Sequence, residues 1–182
     1  MENLTNPTKV ATKWALIYLI TSIVITFAMQ FLNIDQANSP LKYLGYLPFI
    51  IFLLLAQKEY KDQIGGYITF GNAFSTGLRY SVFSGLLLGV FIYIYMVFLN
   101  PDMVGKMVSA TQAQMEAKGN SSADIDKATG FIQKYGAIFA GFGTAIFMTV
   151  FGIIVALVGA AIFKRERTAF DMENDAPVDP AV

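Results

Sequence analysis

The stretch QIGGYITFGNAFSTGLRYSVFSGLLLG (residues 63–89) decides how the chain is read. It holds Gly66 and Gly71 at the G-x-x-x-x-G spacing of a phosphate-binding loop. That motif requires Lys, then Ser or Thr, directly after the second glycine, on a turn that follows a strand. Here Asn72 and Ala73 follow, and no strand pattern precedes them. The residues that a nucleotide site needs are missing.

The glycines fit a membrane helix better. Gly65-Gly66 reads as a turn closing a short connection over residues 58–63. Gly71-Asn72 reads as a helix start, with the Asn72 side chain as cap. From there small residues recur at every fourth position: Ala73, Gly77, Ser81, Gly85 and Gly89. Glycine weakens a helix, so such a run needs a packing reason. In a membrane, a small-xxx-small face lets two backbones approach and gain dispersion contact.

A matching face lies near the C-terminus. Ala137, Gly141 and Ala145 share it with Thr149, Gly152, Ala156 and Ala160, since the two helical turns from Ala145 to Gly152 return almost to the same angle. The expectation is close packing of these two segments. A homodimer contact through one of the faces is the alternative.

Composition agrees with a membrane setting. Residues are 55% hydrophobic and only 14% charged, against about 25% charged in soluble domains. Mean hydropathy is +0.52. The chain carries 13 basic and 13 acidic residues, so no nucleic-acid partner is expected. It has no Cys and no His, which removes disulfides, thiolate nucleophiles, Cys/His metal sites and His general bases. Neither a metal nor a cofactor is expected.

Four apolar segments follow, at about 14–32, 41–57, 80–99 and 135–163. Roughly 20 apolar residues cross a bilayer. The first segment follows Lys9 and Lys13 as a signal peptide would, but its apolar part is too long for one and no cleavage site follows. The second is short. Asn38-Ser39-Pro40 suits a helix start, Lys42 and Lys58 can snorkel at its ends, and Pro48 is expected to bend it. A re-entrant hairpin is its alternative. The third ends at Asn100-Pro101-Asp102, with Tyr93 and Tyr95 suited to an interfacial belt. The fourth exceeds the membrane core and stops at Lys164 and Arg165, a basic anchor.

Arg79 is the one charge near a span core and reads as an interfacial anchor. An anionic-lipid or substrate contact is its functional alternative. Residues 1–167 form one domain in this reading, and 168–182 an acidic disordered tail.

Lys9, Lys13, Lys58, Lys61, Lys164, Arg165 and Arg167 would share one side, mostly beside helix ends. Lys42, Lys106, Lys118, Lys127 and Lys134 would share the other. Short basic loops stay cytoplasmic, which puts both termini inside. The outer connection, 100–134, is long for a helix link. Val104, Val108, Thr111 and Met115 have helical spacing, Asn120 breaks the pattern, and Ser121 or Ser122 can cap a second helix. A surface helical hairpin is expected, packing as a cap or serving as a lid.

No ionisable residue lies inside the uncharged cores, which argues against proton pumps and carboxylate-coupled transporters. Thr21, Ser22, Thr26, Gln30, Ser84, Thr144 and Thr149 are polar but neutral. They suit hydrogen bonds within and between helices, or else a narrow polar pathway. Asp102, Glu116, Asp124 and Asp126 fit no catalytic pattern.

Residues 65–74 (GGYITFGNAF), Gly77 after them, and a long helix ending in Asn100-Pro101-Asp102 resemble the domain of unknown function 4199 family. The order of four spans and the long third connection are similar too. The resemblance covers nearly the whole chain except the acidic tail. It implies a small four-helix protein of the bacterial inner membrane, and no activity, cofactor or catalytic residue. The sequence thus reads as an all-α polytopic membrane protein in the lipid bilayer, with a homo-oligomer as the partner option. No catalytic residue is expected. Its role is structural or accessory, with a small transporter or channel subunit as the alternative.

Overall fold

The computed structural model describes residues 6–32, 43 and 45–166. Among them are five α-helices: α1 Pro7–Phe31, α2 Tyr46–Gln63, α3 Phe70–Ile94, α4 Asp102–Ala117 and α5 Ser122–Phe163. Among the described residues, the one β-type pairing is an isolated bridge from Ile68 to Arg165. Three segments are long and apolar enough to cross a membrane: Pro7–Phe31, Phe70–Leu99 and Ser122–Phe163. The start signal at Asn38-Ser39-Pro40, Lys42, Arg167 and the tail 168–182 lie outside the described residues.

Contacts fix the directions of the helices. Tyr18 meets Tyr80, while Gln30 accepts from the Tyr95 hydroxyl at 3.0 Å, so α1 and α3 run parallel. Phe49 meets Tyr80 and Gln57 reaches Ala73, so α2 returns antiparallel between them. Gly77 faces Ala156 and Gly89 faces Gly141, so α5 runs antiparallel to α3. The start of α1, the α2–α3 turn and the end of α5 therefore share one end of the bundle. The end of α1, α4 and the first turns of α5 share the other.

Where the helices converge, Tyr18, Phe49, Tyr80 and Phe151 form an aromatic core. Ring centroids lie 5.3 Å apart for Tyr18–Phe49 and Phe49–Tyr80, and 5.8 Å for Phe49–Phe151. The Tyr80 hydroxyl donates to the Phe49 carbonyl at 3.2 Å, which pairs the one polar atom of that buried ring. The outer faces stay apolar. On α5, Phe142 (69% exposed), Ile146, Val150, Ile154 and Ile162 are uncovered. A continuous apolar face of that extent suits hydrocarbon surroundings and not water.

Several expectations need correction. Helix α2 begins at Tyr46 and runs on through the charged residues to Gln63, so 58–63 is helix and not a connection. Pro48 is the third residue of α2, in the first turn, where its missing N–H has no intrahelical carbonyl to meet. It does not break the helix. Helix α3 begins one residue before Gly71, and Thr69 rather than Asn72 supplies the cap, accepting from the Asn72 N–H at 3.3 Å.

Tyr95 does not sit in an interfacial belt. A π-helical turn, Tyr95–Leu99, continues α3, and the Asn100 N–H reaches back to the Tyr95 carbonyl at 2.8 Å. Tyr95 lies two helical turns after the buried Leu88, on the same face, and Tyr95 and Met96 are both buried. Tyr93 stays exposed.

The second arm of the expected hairpin is not a separate helix. Ser121 caps it, accepting from the Asp124 N–H at 3.3 Å, and the helix then continues without a break to Phe163. Its 42 residues span about 63 Å, roughly twice a hydrocarbon core. Helix α4 closes with Gly119 at φ +73, where the Asn120 N–H donates to the Met115 carbonyl at 3.1 Å.

Candidate functional site

The most built-up region is the seam between α3 and α5 and the α2 side chain that enters it. Ala73, Gly77, Ser81, Gly85 and Gly89 are all buried on α3. On α5, Gly141, Gly152, Ala156 and Ala160 are buried, while Ala137 and Ala145 are half-buried. A Cβ on Gly77 would lie 2.7 Å from the Ala156 Cβ. One on Gly85 would lie 2.7 Å from the Ala145 carbonyl oxygen and 3.1 Å from the Thr149 hydroxyl. A Cβ on Gly152 would collide with Ser81. Real Cβ atoms do not come this close, so each glycine lets the opposite backbone in. Ala137 lies beyond these contacts, toward α4.

Gln57 was not singled out by its sequence context, where it closes an apolar run beside Lys58. Its side chain is fully buried at the junction of α2, α3 and α5. The amide nitrogen donates to the Ala73 carbonyl at 3.0 Å and to the Ala156 carbonyl at 2.9 Å. One side chain thus ties three helices together. Glycine makes the slot: a Cβ on Gly77 would lie 2.7 Å from Gln57 Nε2, and one on Gly159 would overlap Gln57 Oε1. That oxygen has no conventional donor among the described residues. It lies against the Gly159 backbone, where a Cα–H can supply a weak one. The sequence signal, in hindsight, was the glycine at 159, off the predicted ladder.

The end of the bundle shared by the α2–α3 turn carries a second polar group. Glu59 accepts from Lys13 on α1, from the Trp14 indole N–H at 2.7 Å and from Gln63 at 2.8 Å. Trp14 itself packs on Phe52, with Lys13 over its ring. Gly65 and Gly66, at φ +91 and +82, then turn the chain so that Ile68 pairs with Arg165. The Ile68 N–H donates to the Arg165 carbonyl at 2.8 Å, and the Arg165 N–H returns the bond at 2.9 Å. The Arg165 guanidinium covers the Tyr67 ring at 5.1 Å.

The anchors expected from sequence fall in different settings. Lys164 is exposed and pairs with Glu166 at 3.2 Å. Arg165 belongs to the bridge just described. Arg79 is half-buried on α3, away from the seam. Helical side chains lean toward the N-terminus, so Arg79 leans toward the Glu59 end of the bundle. Of the neutral polar residues, Gln30 meets Tyr95, the buried Ser22 and Ser84 hydroxyls have no hydrogen-bond partner among the described residues, and the threonines turn back on their own helices. Thr21, Thr26, Thr144 and Thr149 each donate to the carbonyl of the preceding turn at 2.8–2.9 Å. Among the described residues no acidic group capable of holding a metal ion gathers.

An all-helical fold with long apolar spans and a lipid-suited exterior, closed inside by glycine contacts and one buried amide, defines a membrane-type helix bundle. The chain belongs to the family described as "Protein of unknown function (DUF4199)", whose match covers residues 13–165. No curated protein and no solved structure matches it.

Proposed function

We propose that this is a polytopic membrane protein with a structural or accessory role, acting through helix, lipid or protein contacts and not through catalysis. The observation that carries this reading is Gln57. Its fully buried amide bridges three helices by donating to two backbone carbonyls. The threonine hydroxyls are likewise occupied by their own backbones. An interior arranged this way holds helices together.

In the proposed topology α2 is a fourth crossing, with both termini in the cytoplasm and α4 with the start of α5 forming a hairpin outside. The support is directional. Parallel α1 and α3 require the chain to return between them, and antiparallel α2 lies on that route. The basic residues Lys9, Lys13, Lys58, Lys61, Lys164 and Arg165 gather at the end assigned to the cytoplasm. The inner membrane of a bacterium is the proposed location.

A flux assay tests the functional reading. Vesicles containing the full chain should swell in glycerol, and leak small ions, no faster than empty vesicles. Flux well above the empty control, and lowered by substitution of Ser22 or Thr26, would replace this reading with a channel or transporter.

A further inference from the structure

Two cavities on the α3–α5 face lie side by side. One is entirely apolar, holds about 310 Å³, and has Gly89, Gly141 and Ala145 along it. The other holds about 480 Å³, is half polar, and lies where α3, α4 and α5 meet, with Gln133 and Lys134 in its lining. Tyr93 and Ile138 line both, so the two adjoin along α5, and together they offer a groove with an apolar length beside a polar mouth.

We propose that this groove holds a single anionic phospholipid, one acyl chain along the apolar length and the headgroup phosphate on Lys134. The inference rests on the membrane reading above and adds the ligand class and its site.

Length, shape and charge each point to that occupant. From Lys134 to Ala145 the groove follows α5 for about 16 Å, which is the depth of one leaflet of a core roughly 30 Å thick. The lining from Leu86 to Ala145 exposes no polar surface, so a hydrocarbon chain there meets only apolar atoms. A second helix, about 10–12 Å wide, would have to displace α4, which bounds the mouth through Val104 and Val108.

The mouth carries one cation and no carboxylate in its lining. Lys134 makes no ion pair among the described residues, and its ammonium rests against the Tyr135 ring at 5.1 Å. An ammonium without a counter-ion beside an apolar channel suits a phosphate with a chain attached. No carboxylate in the lining is placed to pair with the choline of a zwitterionic lipid.

The test counts retained lipid. The full chain is reconstituted in phosphatidylcholine discs with a minority of phosphatidylglycerol, released in mild detergent and weighed intact. One phosphatidylglycerol per chain should stay bound. Lys134→Gln should lower its retention relative to phosphatidylcholine by about tenfold, the scale of one charged hydrogen bond. Ile138→Trp, which fills the groove, should remove retained phospholipid of either kind. Leu86→Trp does the same from the α3 side if Ile138→Trp lowers thermal stability. Ile154→Trp, exposed and outside both cavities, should retain lipid normally.

Equal retention of phosphatidylglycerol in wild type, Lys134→Gln and both groove-filling variants would overturn the proposal. So would equal retention of the two lipids by wild type. A groove-filling variant that dissociates a dimer without losing lipid would assign the face to a second copy instead. Lipid retention is read independently of solute flux, so the site can fail while the structural role stands, and the reverse.

Discussion

Gly89 and Gly141 meet backbone to backbone. A methyl group on Gly89 would lie 2.5 Å from the Gly141 carbonyl oxygen, and one on Gly141 would lie 2.7 Å from that of Gly89. Neither obstacle is the mobile end of a side chain, so neither can move aside. The seam between α3 and α5 is therefore set by main-chain atoms at this level and by Gly85 against Ala145 one turn on.

A larger residue in the seam should be costly. Gly85→Leu must separate α3 from α5 or strain the Ala145 backbone, and overpacking of this kind costs about 1–3 kcal/mol or more. Gly143→Leu is the control, because Gly143 is exposed and a Cβ there meets nothing within 4 Å. Thermal unfolding in detergent should show a clear drop for Gly85→Leu and none for Gly143→Leu. Equal curves would mean that the seam does not hold the bundle.

Gln57 should behave as a structural lock. Gln57→Leu keeps the volume and removes both donated bonds, with an expected loss of about 1–3 kcal/mol for a buried, previously paired group. Gly159→Ala attacks the same contact from α5, because the new methyl would overlap the amide oxygen. The double variant should lose less than the sum of the two, since each change disrupts one interaction. Strict additivity in the unfolding midpoints would show that the two residues do not act on one another.

The sequence carried the features that repeat with the helical period. Ala73 to Gly89 fall on one face because four residues make about one turn, and no tertiary information is needed to see that. The ends of α3 and α5 near Leu99 and Phe163 were legible from proline and from the basic stop. Features that depend on distant partners were not. Tyr95 turns inward to a distant partner, Gln30, although its nearness to Tyr93 suggests an exposed belt. Gln57 finds its partners far along the chain, at Ala156 and Gly159. The continuity of α5 was hidden for a different reason. Residues 122–134 are polar and 135–163 apolar, which marks a change of environment and not a break in the backbone.

Glu59 offers an optical test, because Trp14 is the chain's single tryptophan. The indole N–H donates to Glu59. Glu59→Leu should shift Trp14 emission and lower stability modestly, by about 1 kcal/mol, since the Lys13 pair is partly exposed. Lys13→Met leaves the indole bond in place and should shift emission less. If Lys13→Met and Glu59→Leu shift it equally, the cation above the ring and not the carboxylate sets the emission.

The α2–α3 turn should be held by its two glycines and by the bridge to α5. Gly66→Val places a β-branched residue at φ +82, a conformation that costs about 1–2 kcal/mol. Hydrogen exchange should then quicken at the Ile68 and Arg165 amides, which bond across the bridge. Gly71→Ala, in open space and inside α3, should leave both amides protected. Unchanged protection in Gly66→Val would detach the turn from the closure of the bundle.

The proposed fourth crossing can be tested without disturbing other residues, because the chain contains no cysteine. Single cysteines at Asp62 and Asn120 sit at the end of α2 and in the α4–α5 turn, both exposed. With α2 crossing, a membrane-impermeant maleimide should label Asn120→Cys in intact cells and Asp62→Cys only after the inner face is opened. A cysteine at Asn6, at the start of α1, should follow Asp62. Labelling of Asn6 and Asp62 from opposite sides would remove α2 as a crossing and with it the four-span topology. Labelling of Asn120 only from within, with Asp62 and Asn6 outside, would keep the four spans and reverse the orientation. The helix directions put Asn6 and Asp62 at one end and Asn120 at the other, and the basic residues at the Asn6 end assign it to the inside in the proposed topology. Lys13 and Glu59 are paired at one end of the bundle, and α4 packs at the other.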